Sequence, residues 1–364
     1  NIGYFSADIK DHPVAQFIKP VLGHHNRRDF QIFLYDVTVD KDDFGKEIIS
    51  LVDVYRNCVG HSDREIANVI ANDRIDILID ITGLFQNNRL KVFRYRPAHI
   101  QASWIGYSGT TGLPEMDYII ADSQVIPPNM RKDFSEHIVS LPSQYLCFAL
   151  EDTVMQQPYF TEGNSSEIIF GSFNNHMKLN AQVIRVWSEI LKNVRSSVLF
   201  LKSRRLGNVA LQRHIKKQFE FYGVDSSRLT LSGPVEKLEH FASYNRVDIA
   251  LDPFPYCGTT TTIEALAMGV PVITLVGERW VQRTSYSFLK ALGYDYLCAY
   301  TEADYIRLAI DLAKNSEARQ SFKAIGKSKF SESSIGKIAE FTLDLERAYH
   351  TMWSSSYDFL AQKK

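Results

Sequence analysis

Residues 252–274 read DPFPYCGTTTTIEALAMGVPVIT, and the fold of the chain turns on this stretch. It follows the run Val247-Asp248-Ile249-Ala250-Leu251, which reads as a buried parallel strand, and it closes in a second such run, Val270 to Leu275. Between them Gly258 permits a tight bend, and four consecutive threonines, Thr259 to Thr262, stand where a helix would begin. Threonine is a poor residue for a helix interior and a good one for a first turn, so the spacing predicts a helix through Ile263-Glu264-Ala265-Leu266-Ala267-Met268. Gly269 and then Pro271 end it. The open N–H groups of the first turn, the positive end of the helix dipole and the row of hydroxyls together make an anion site. Glu264, one turn in, is placed to reach the ribose of a nucleotide whose phosphates rest on the threonines. The same residues also suit an ordinary capped helix, because one such turn is not specific by itself.

Outward from this stretch the chain alternates strand and helix, the pattern of open, mostly parallel sheets. Strands are expected at Ile2 to Phe5, Gln31 to Tyr35, Asp76 to Asp80, Ile100 to Ile105, Tyr118 to Ala121 and His137 to Leu141, with helices at Arg64 to Ala71 and Gln86 to Tyr95. After the first strand, His12-Pro13 sets a histidine at a helix N-cap on the ligand-facing edge of the sheet, where it can act as acid, base or donor, or merely cap. Asp80 brings a carboxylate to the same edge. The loop Trp104 to Gly112, carrying Tyr107, Gly109 and Thr110, is rich enough in glycine and threonine to let backbone approach a ligand.

The polar residues Ala149 to Ser166 read as a linker between a first domain, 1–150, and a second, 166–334. The second opens with a strand, Ile168 to Phe173. Lys178 follows in the next loop, able to neutralise a phosphate or simply solvated. A helix at Asn180 to Lys192, strands at Val198 to Lys202 and Arg228 to Leu231 and a helix at Leu206 to Tyr222 come next. The loop Ser232 to His240, with Val235, Lys237 and His240, suits a nucleobase and its phosphates, and suits a plain surface loop as well. Helices are expected at Gln282 to Leu292 and Ala303 to Lys314. A long amphipathic helix, Ile335 to Trp353, lies in a closing segment, 335–364, and is expected to pack back on the first domain, with Ser354 to Lys364 a frayed tail.

The totals narrow the class of protein. The 364 residues are 45% hydrophobic and 23% charged, enough for two domains with substantial cores. A net charge of −1 offers no basic surplus for nucleic acid or an anionic membrane. The cysteines Cys58, Cys147, Cys257 and Cys298 lack CxxC spacing, which suits a reducing, cytoplasmic setting and argues against a zinc site. No apolar run spans a bilayer. No G-x-G-x-x-G follows either first strand, which weakens a dehydrogenase reading. No DxD-type pair stands out as a metal site, so amides, hydroxyls and lysine are expected to meet the phosphate charge.

Several separated segments together resemble the catalytic region of the O-linked N-acetylglucosamine transferase and SPINDLY family. They are His12-Pro13; Arg96-Pro97-Ala98; Trp104 to Gly112 with Asp117-Tyr118-Ile119-Ile120; Phe170 to Asn174 with Lys178; and Asp252 to Glu264. The resemblance runs in register from about Ile2 to Trp353. It implies a GT-B fold, an α/β architecture of two Rossmann-like domains facing across a cleft, and an inverting mechanism. His12 matches the family's histidine near the reacting centre, and Lys178 the lysine that stabilises the departing diphosphate. Lys237 and His240 match a nucleotide-contacting lysine and a base-stacking histidine. Thr260 and Thr261 match the phosphate-binding pair, and Glu264 an acidic residue that holds the ribose. Thr259 stands where the animal transferase has histidine, Asn175 where it has glutamine and Glu264 where it has aspartate. FGSFNN and DPFPYCGTTTT look more like the SPINDLY branch and bacterial members. The family normally carries tetratricopeptide repeats ahead of this region; none occurs here, and a missing N-terminal region is an expectation.

The expected function is a metal-independent, inverting glycosyltransferase moving GlcNAc, or another sugar, from a nucleotide diphosphate to Ser/Thr hydroxyls of protein. UDP-GlcNAc is the first donor candidate, with UDP-Glc and GDP-Fuc as others, and no further cofactor is expected. His12 and Lys178 would be catalytic, with Asp80 a weaker candidate base. Asn175, Val235, Lys237, His240, Gly258, Thr259, Thr260, Thr261 and Glu264 would bind the donor, and Tyr107, Gly109 and Thr110 would line the acceptor-side loop. The alternatives are a GT-B transferase building capsule or other polysaccharide, and a nucleotide-sugar epimerase, which would need a carboxylate pair and no acceptor.

Overall fold

Short apolar runs can be buried on both faces only where helices cover a parallel sheet, and the chain builds two such sheets. The computed structural model describes residues 1–155 and 167–362. It divides into two compact units, Asn1–Ala149 with Ser334–Lys364, and Leu150–Ser333.

The first unit holds β1 (Ile2–Ser6), β2 (Ile32–Asp36), β3 (Val54–Asn57), β4 (Ile77–Asp80), β5 (Ile100–Ser103), β6 (Tyr118–Asp122) and β7 (His137–Leu141). They are parallel, in the order β3-β2-β1-β4-β5-β6-β7. The second unit holds β8 (Ile168–Ser172), β9 (Ser197–Lys202), β10 (Leu229–Ser232), β11 (Ile249–Leu251), β12 (Val272–Leu275) and β13 (Cys298–Ala299). They are again parallel, in the order β10-β9-β8-β11-β12-β13. In each sheet the winding direction reverses once, between β1 and β4 and between β8 and β11. Ligands of open parallel sheets bind at such reversals, beyond the carboxyl ends of the strands. The loops that meet there are those carrying His12 and Asp80 in one unit and Lys178 and the threonines in the other.

Aromatic residues fill both interiors. Tyr4, Phe5, Tyr35, Phe93 and Trp104 are fully buried in the first unit, and Phe170, Trp187, Phe219, Phe288 and Tyr305 in the second. Local signals start the helices. Ser62 and Glu65 form a reciprocal capping box on Asp63–Asn72, and Asn180 caps Ala181–Asn193 by accepting from the Val183 N–H at 2.9 Å.

Some elements differ from the sequence reading. The expected helix Gln86 to Tyr95 is only a 3₁₀ turn, Leu90–Tyr95, because Asn87 (φ 65°) and Arg96 (φ 50°) hold left-handed backbone on either side. The strand expected to reach Ile105 stops at Ser103, since Ile105 itself turns left-handed at φ 64°. The loop expected at 232–240 gives way to helix from Lys237 to Tyr244. The expected linker contains a short helix, Asp152–Met155, and its remainder lies outside the described residues. Helix Ser316–Glu332 had no counterpart in the sequence reading. The supposed tail from Ser354 continues as helix, because no glycine or proline interrupts Ile338–Gln362.

That last helix packs on Pro13–His24 and against β5 and β7. A buried polar chain pins it to β1. The Glu346 carboxylate accepts from His25 Nδ1 at 2.9 Å and from the Asn26 N–H at 2.8 Å. His25 Nε2 must then be the accepting nitrogen, so Tyr4 donates to it at 2.8 Å and receives the Tyr349 hydroxyl at 2.8 Å. Burial pushes the His25 imidazole down, outweighing the hydrogen bond and charge of Glu346. Burial alone would raise Glu346, but the bonds from His25 and the Asn26 N–H, with the charges of His25 and His350, hold it below its ordinary value.

Both shifts act in one direction. The unfolded chain takes up more protons than the folded one once pH drops below about 6.5 through His25, and again below about 4.3 through Glu346. The contribution of these two groups is therefore complete near neutrality and declines with acidification, read as a urea midpoint that falls further between pH 7 and pH 5 in the protein than in a His25→Gln variant. Glu346→Ala leaves the buried His25 Nδ1 without its acceptor, while the N–H of exposed Asn26 can turn to water, and is expected to cost about 1–3 kcal/mol in the same titration at pH 7.

Candidate functional site

In the first unit, three loops at the strand ends interlock. The Ala7 N–H after β1 donates to the Thr82 hydroxyl after β4 at 2.9 Å. His12 caps the helix Pro13–His24 from extended backbone, its Nδ1 accepting from the Val14 N–H at 3.4 Å and lying 3.8 Å from the Asp8 carboxylate. Burial pushes His12 down against the raising effect of Asp8, so it is chiefly a neutral imidazole at pH 7, able to accept a proton. Burial pushes Asp8 up, opposed by His12, Lys10 and the Thr82 hydroxyl.

Asp80 is differently placed. It is 2% exposed, and its two oxygens accept the N–H groups of Thr82 at 3.1 Å and Gly83 at 2.9 Å. Burial drives its carboxyl up to about 7, against those two bonds. This candidate base also clasps the turn after β4. Gly83, at φ 67°, lies so near the next loop that a Cβ would come within 2.3 Å of Tyr107 Cβ. Tyr107 in turn meets the Phe85 ring edge-on at 6.0 Å.

The loop after β5 is tightly made. Gly106 N–H returns to Trp104 O at 2.7 Å around Ile105, a β-branched residue in left-handed backbone, an arrangement that stores about 1–3 kcal/mol of strain. Gly109 faces the Tyr107 ring. Thr110 gives its hydroxyl to Glu136 at 2.7 Å, and Thr111 donates to the same buried carboxylate through its N–H at 2.7 Å. Thr110 is thus held by its own unit, at the opposite end of the loop from Tyr107.

The second unit gathers most of the donor candidates. Helix Thr260–Ala267 begins at the threonine row, with Thr259, Thr260 and Thr261 half-buried and Thr262 buried. Lys178 Nζ donates to Cys257 O at 2.8 Å and to Asn174 Oδ1 at 3.0 Å, and sits 4.2 Å from the Tyr256 ring centre. Thr261 donates to the same Asn174 oxygen at 3.1 Å. The amine and the hydroxyl row therefore share one acceptor. Burial pushes the Lys178 ammonium down, opposed by the Asp252 and Cys257 charges.

Asp252 underlies this corner. Its carboxylate is 1% exposed and accepts from the Gly258 N–H at 2.6 Å and the Thr274 hydroxyl at 2.7 Å. Burial pushes Asp252 up, against hydroxyls of Ser285 and Thr274, the Gly258 N–H and the Lys178 charge. The Ser285 hydroxyl donates to Gly258 O at 3.0 Å and meets Thr262 at 2.8 Å.

The remaining candidates fall in two groups. Glu264, 7% exposed, takes His240 Nε2 at 3.0 Å and the Tyr244 hydroxyl at 2.9 Å on one oxygen, joining the histidine to the threonine helix. Val235 lies half-buried just ahead of the helix that carries His240. Lys237, in the first turn of that helix, is ion-paired to Glu151. Asn175 is exposed and caps the turn His176–Lys178 by accepting from the Met177 N–H at 3.1 Å, so its neighbour Asn174 occupies the shared corner. Asn174, Asp252 and Tyr244 were not among the sequence candidates. Asp252 at a strand end and Asn174 in the FNN triplet were visible signals, whereas nothing local marked Tyr244. Among the described residues no helix is long and apolar enough to cross a membrane.

Two Rossmann-like α/β units of this kind define the GT-B class. The chain belongs to glycosyl transferase family 41, whose model matches residues 1–162 and 152–345. It is 35% identical over 97% of its length to a Petunia hybrida protein named "Probable UDP-N-acetylglucosamine--peptide N-acetylglucosaminyltransferase SPINDLY", of which it covers 38%. The chain thus spans well under half the length of the curated relatives it matches. A lysine-to-methionine mutant of the Thermobaculum terrenum O-GlcNAc transferase superposes with a TM-score of 0.94 at 30% identity, over 99% of this chain and 68% of that one. WaaG, a glycosyltransferase of lipopolysaccharide biosynthesis, shares the fold alone, with a TM-score of 0.54 at 12% identity over 95% and 99% of the two chains.

A Cβ at position 258 would lie 2.3 Å from Thr262 Oγ1 and 2.9 Å from both Asp252 Oδ1 and Thr261 Oγ1. Those atoms belong to short, hydrogen-bonded side chains with little room to yield. Gly258→Ala is expected to cost about 1–3 kcal/mol in thermal or urea unfolding, through displacement of the threonine turn.

Proposed function

We propose that this chain transfers a sugar from a nucleotide diphosphate to a hydroxyl group of protein, by a single in-line displacement without a metal. The observation that carries the reading is the shared corner in which Lys178 and Thr261 converge on Asn174 at the start of the threonine helix. A pyrophosphate there would meet an ammonium, several hydroxyls and the open N–H groups of a helix N-terminus, all in place before charge develops. The names of the SPINDLY and O-GlcNAc relatives favour UDP-GlcNAc as donor and peptide as acceptor.

In this mechanism the acceptor hydroxyl, on Ser or Thr, attacks the anomeric carbon from the face opposite the diphosphate. The new C–O bond forms as the bond to the phosphate oxygen breaks, and the configuration inverts. The electron pair leaves on the diphosphate, where Lys178, Thr260, Thr261 and the helix N–H groups stabilise it. His12, neutral at pH 7, accepts or steers the proton of the attacking hydroxyl. Asp80 acts indirectly, by holding the turn that bears Thr82 and Gly83. His240 supplies a face for the base and Glu264 an acceptor for the ribose, with Val235 and Lys237 flanking them and Tyr107 and its loop serving the acceptor.

The polysaccharide and epimerase alternatives separate in one assay. Radiolabelled UDP-GlcNAc is incubated with the protein and a Ser- and Thr-containing peptide library. Label in peptide supports the proposal; label in polymer, or a changed sugar nucleotide without transfer, replaces it. Lys178→Ala is expected to lower kcat by about 10²–10³-fold, the usual cost of removing a preorganised donor to a developing negative charge. A loss smaller than about tenfold, or roughly 1.4 kcal/mol, would remove Lys178 from the leaving-group role.

A further inference from the structure

Lys202 closes β9 and is only 3% exposed, an unusual burial for a lysine. Its Nζ lies 2.8 Å from His240 Nδ1 and 5.4 Å from the centre of the Phe173 ring. On the other side of the imidazole, Nε2 lies 3.0 Å from Glu264 Oε2, the oxygen that also accepts the Tyr244 hydroxyl. Three elements therefore converge on one histidine: β9, the helix bearing His240 and Tyr244, and the threonine helix bearing Glu264.

The order of donors along this chain follows from its ends. An ammonium can only give hydrogens and a carboxylate can only receive them. Nδ1 must then present its lone pair to Lys202, and Nε2 must carry the hydrogen that goes to Glu264. A hydrogen on Nδ1 would set two donors face to face. Burial pushes the Lys202 ammonium down to about 8, against the pull of Glu264 and Glu239, so it remains charged at pH 7. With both ring nitrogens engaged, the polar edges of His240 are spent; Phe173, Phe241 and Tyr244 pack about the ring at 5.9, 5.5 and 5.6 Å, and the rest of the ring stays open to solvent, the side chain being 27% exposed. Glu264 Oε1 is bonded by none of the described residues.

We propose that Lys202 is a positioning residue of the nucleoside subsite: by donating to Nδ1 it reinforces the Nε2–H tautomer that Glu264 accepts and fixes the ring plane, presenting a ring face to the base and Glu264 Oε1 to the ribose. The inference rests on the proposed roles of His240 and Glu264 and adds the residue that orients them. His25 offers an instructive contrast within the same chain. Its two nitrogens are also both engaged, but its side chain is 0% exposed and serves packing alone, whereas that of His240 is 27% exposed at the carboxyl edge of its sheet. A stacking platform needs both properties, a rigid plane and an open face.

The test compares the protein with Lys202→Met and Lys202→Arg, using calorimetric titration with UDP and with GDP, and nitrogen NMR of the His240 ring without ligand. The methionine should fill the same space without a donor, and weaken the preferred nucleotide by about tenfold in Kd, while arginine keeps it within about threefold. In the unmodified protein the ring should carry its hydrogen on Nε2 with the Nδ1 resonance shifted by the Lys202 hydrogen bond, and in the methionine variant, where Glu264 still holds the Nε2–H, that Nδ1 shift should be lost. An Nδ1–H tautomer in the unmodified protein overturns the proposal, even if neither variant folds. So does a methionine variant that binds within about twofold of the unmodified protein while that protein binds nucleotide. If the unmodified protein binds neither UDP nor GDP, the nucleoside reading of the site falls first, and this proposal with it.

Discussion

The geometry of the second unit depends on one buried carboxylate. Asp252 stands at the end of β11 and binds the Gly258 N–H, closing a loop whose far side begins the threonine helix. Removing such a group from water is costly unless its oxygens are bonded, and here Gly258 and Thr274 take one oxygen each. The bond to Gly258 leaves no room for a side chain there, and Cys257 O is turned toward Lys178. The loop after β8 and the loop after β11 are thereby brought to one point, where the strand order reverses. The Tyr305 hydroxyl donating to Asp252 O at 2.9 Å ties the same residue to the helix Glu302–Lys314 behind it.

Each unit also uses a histidine as a two-ended connector. His25 joins Glu346 to Tyr4 and so couples the last helix to the first strand. His240 joins Lys202 to Glu264 and so couples β9 to the threonine helix. In both cases a carboxylate at one end decides which nitrogen carries the hydrogen, and the partner at the other end must match. A misplaced partner would leave a buried donor or acceptor unpaired, at about 1–3 kcal/mol. Such connectors specify register between elements far apart in sequence.

The fold was legible where local physics is decisive. β-branched runs bounded by turns placed most of the strands, though not the edge strands β3 and β13, and the sequence Gly258 to Met268 placed the threonine helix, because few other conformations satisfy those residues. The misses have physical causes. Gln86 to Tyr95 carries helical spacing, yet Asn87 and Arg96 adopt left-handed backbone that the spacing does not reveal. Lys237 to His240 looked like loop because charged residues crowd that turn and none of its side chains is buried; the buried residues of the helix, Phe241 and Tyr244, come after it. Of the candidate site, Lys178 and the threonine row were readable from position on strand ends. Lys202 and Tyr244 were not, since their roles exist only once β9 and two helices meet. Asp80 was readable as a carboxylate on the sheet edge, but its occupation by two N–H groups is a property of the folded turn.

The closing helix has a consequence for how the first unit comes into being. Its seven strands are complete by Leu141, but the helix that covers β5, β7 and Pro13–His24 lies beyond Ile338. A chain emerging from the ribosome must hold the apolar flank of that sheet, with Tyr4 and His25 at its centre, through the whole synthesis of the second unit. Until Glu346 and Tyr349 arrive, an imidazole and a phenol built for the interior face water or a chaperone. Of the two units, the one begun earlier is thus completed only after the other has been made.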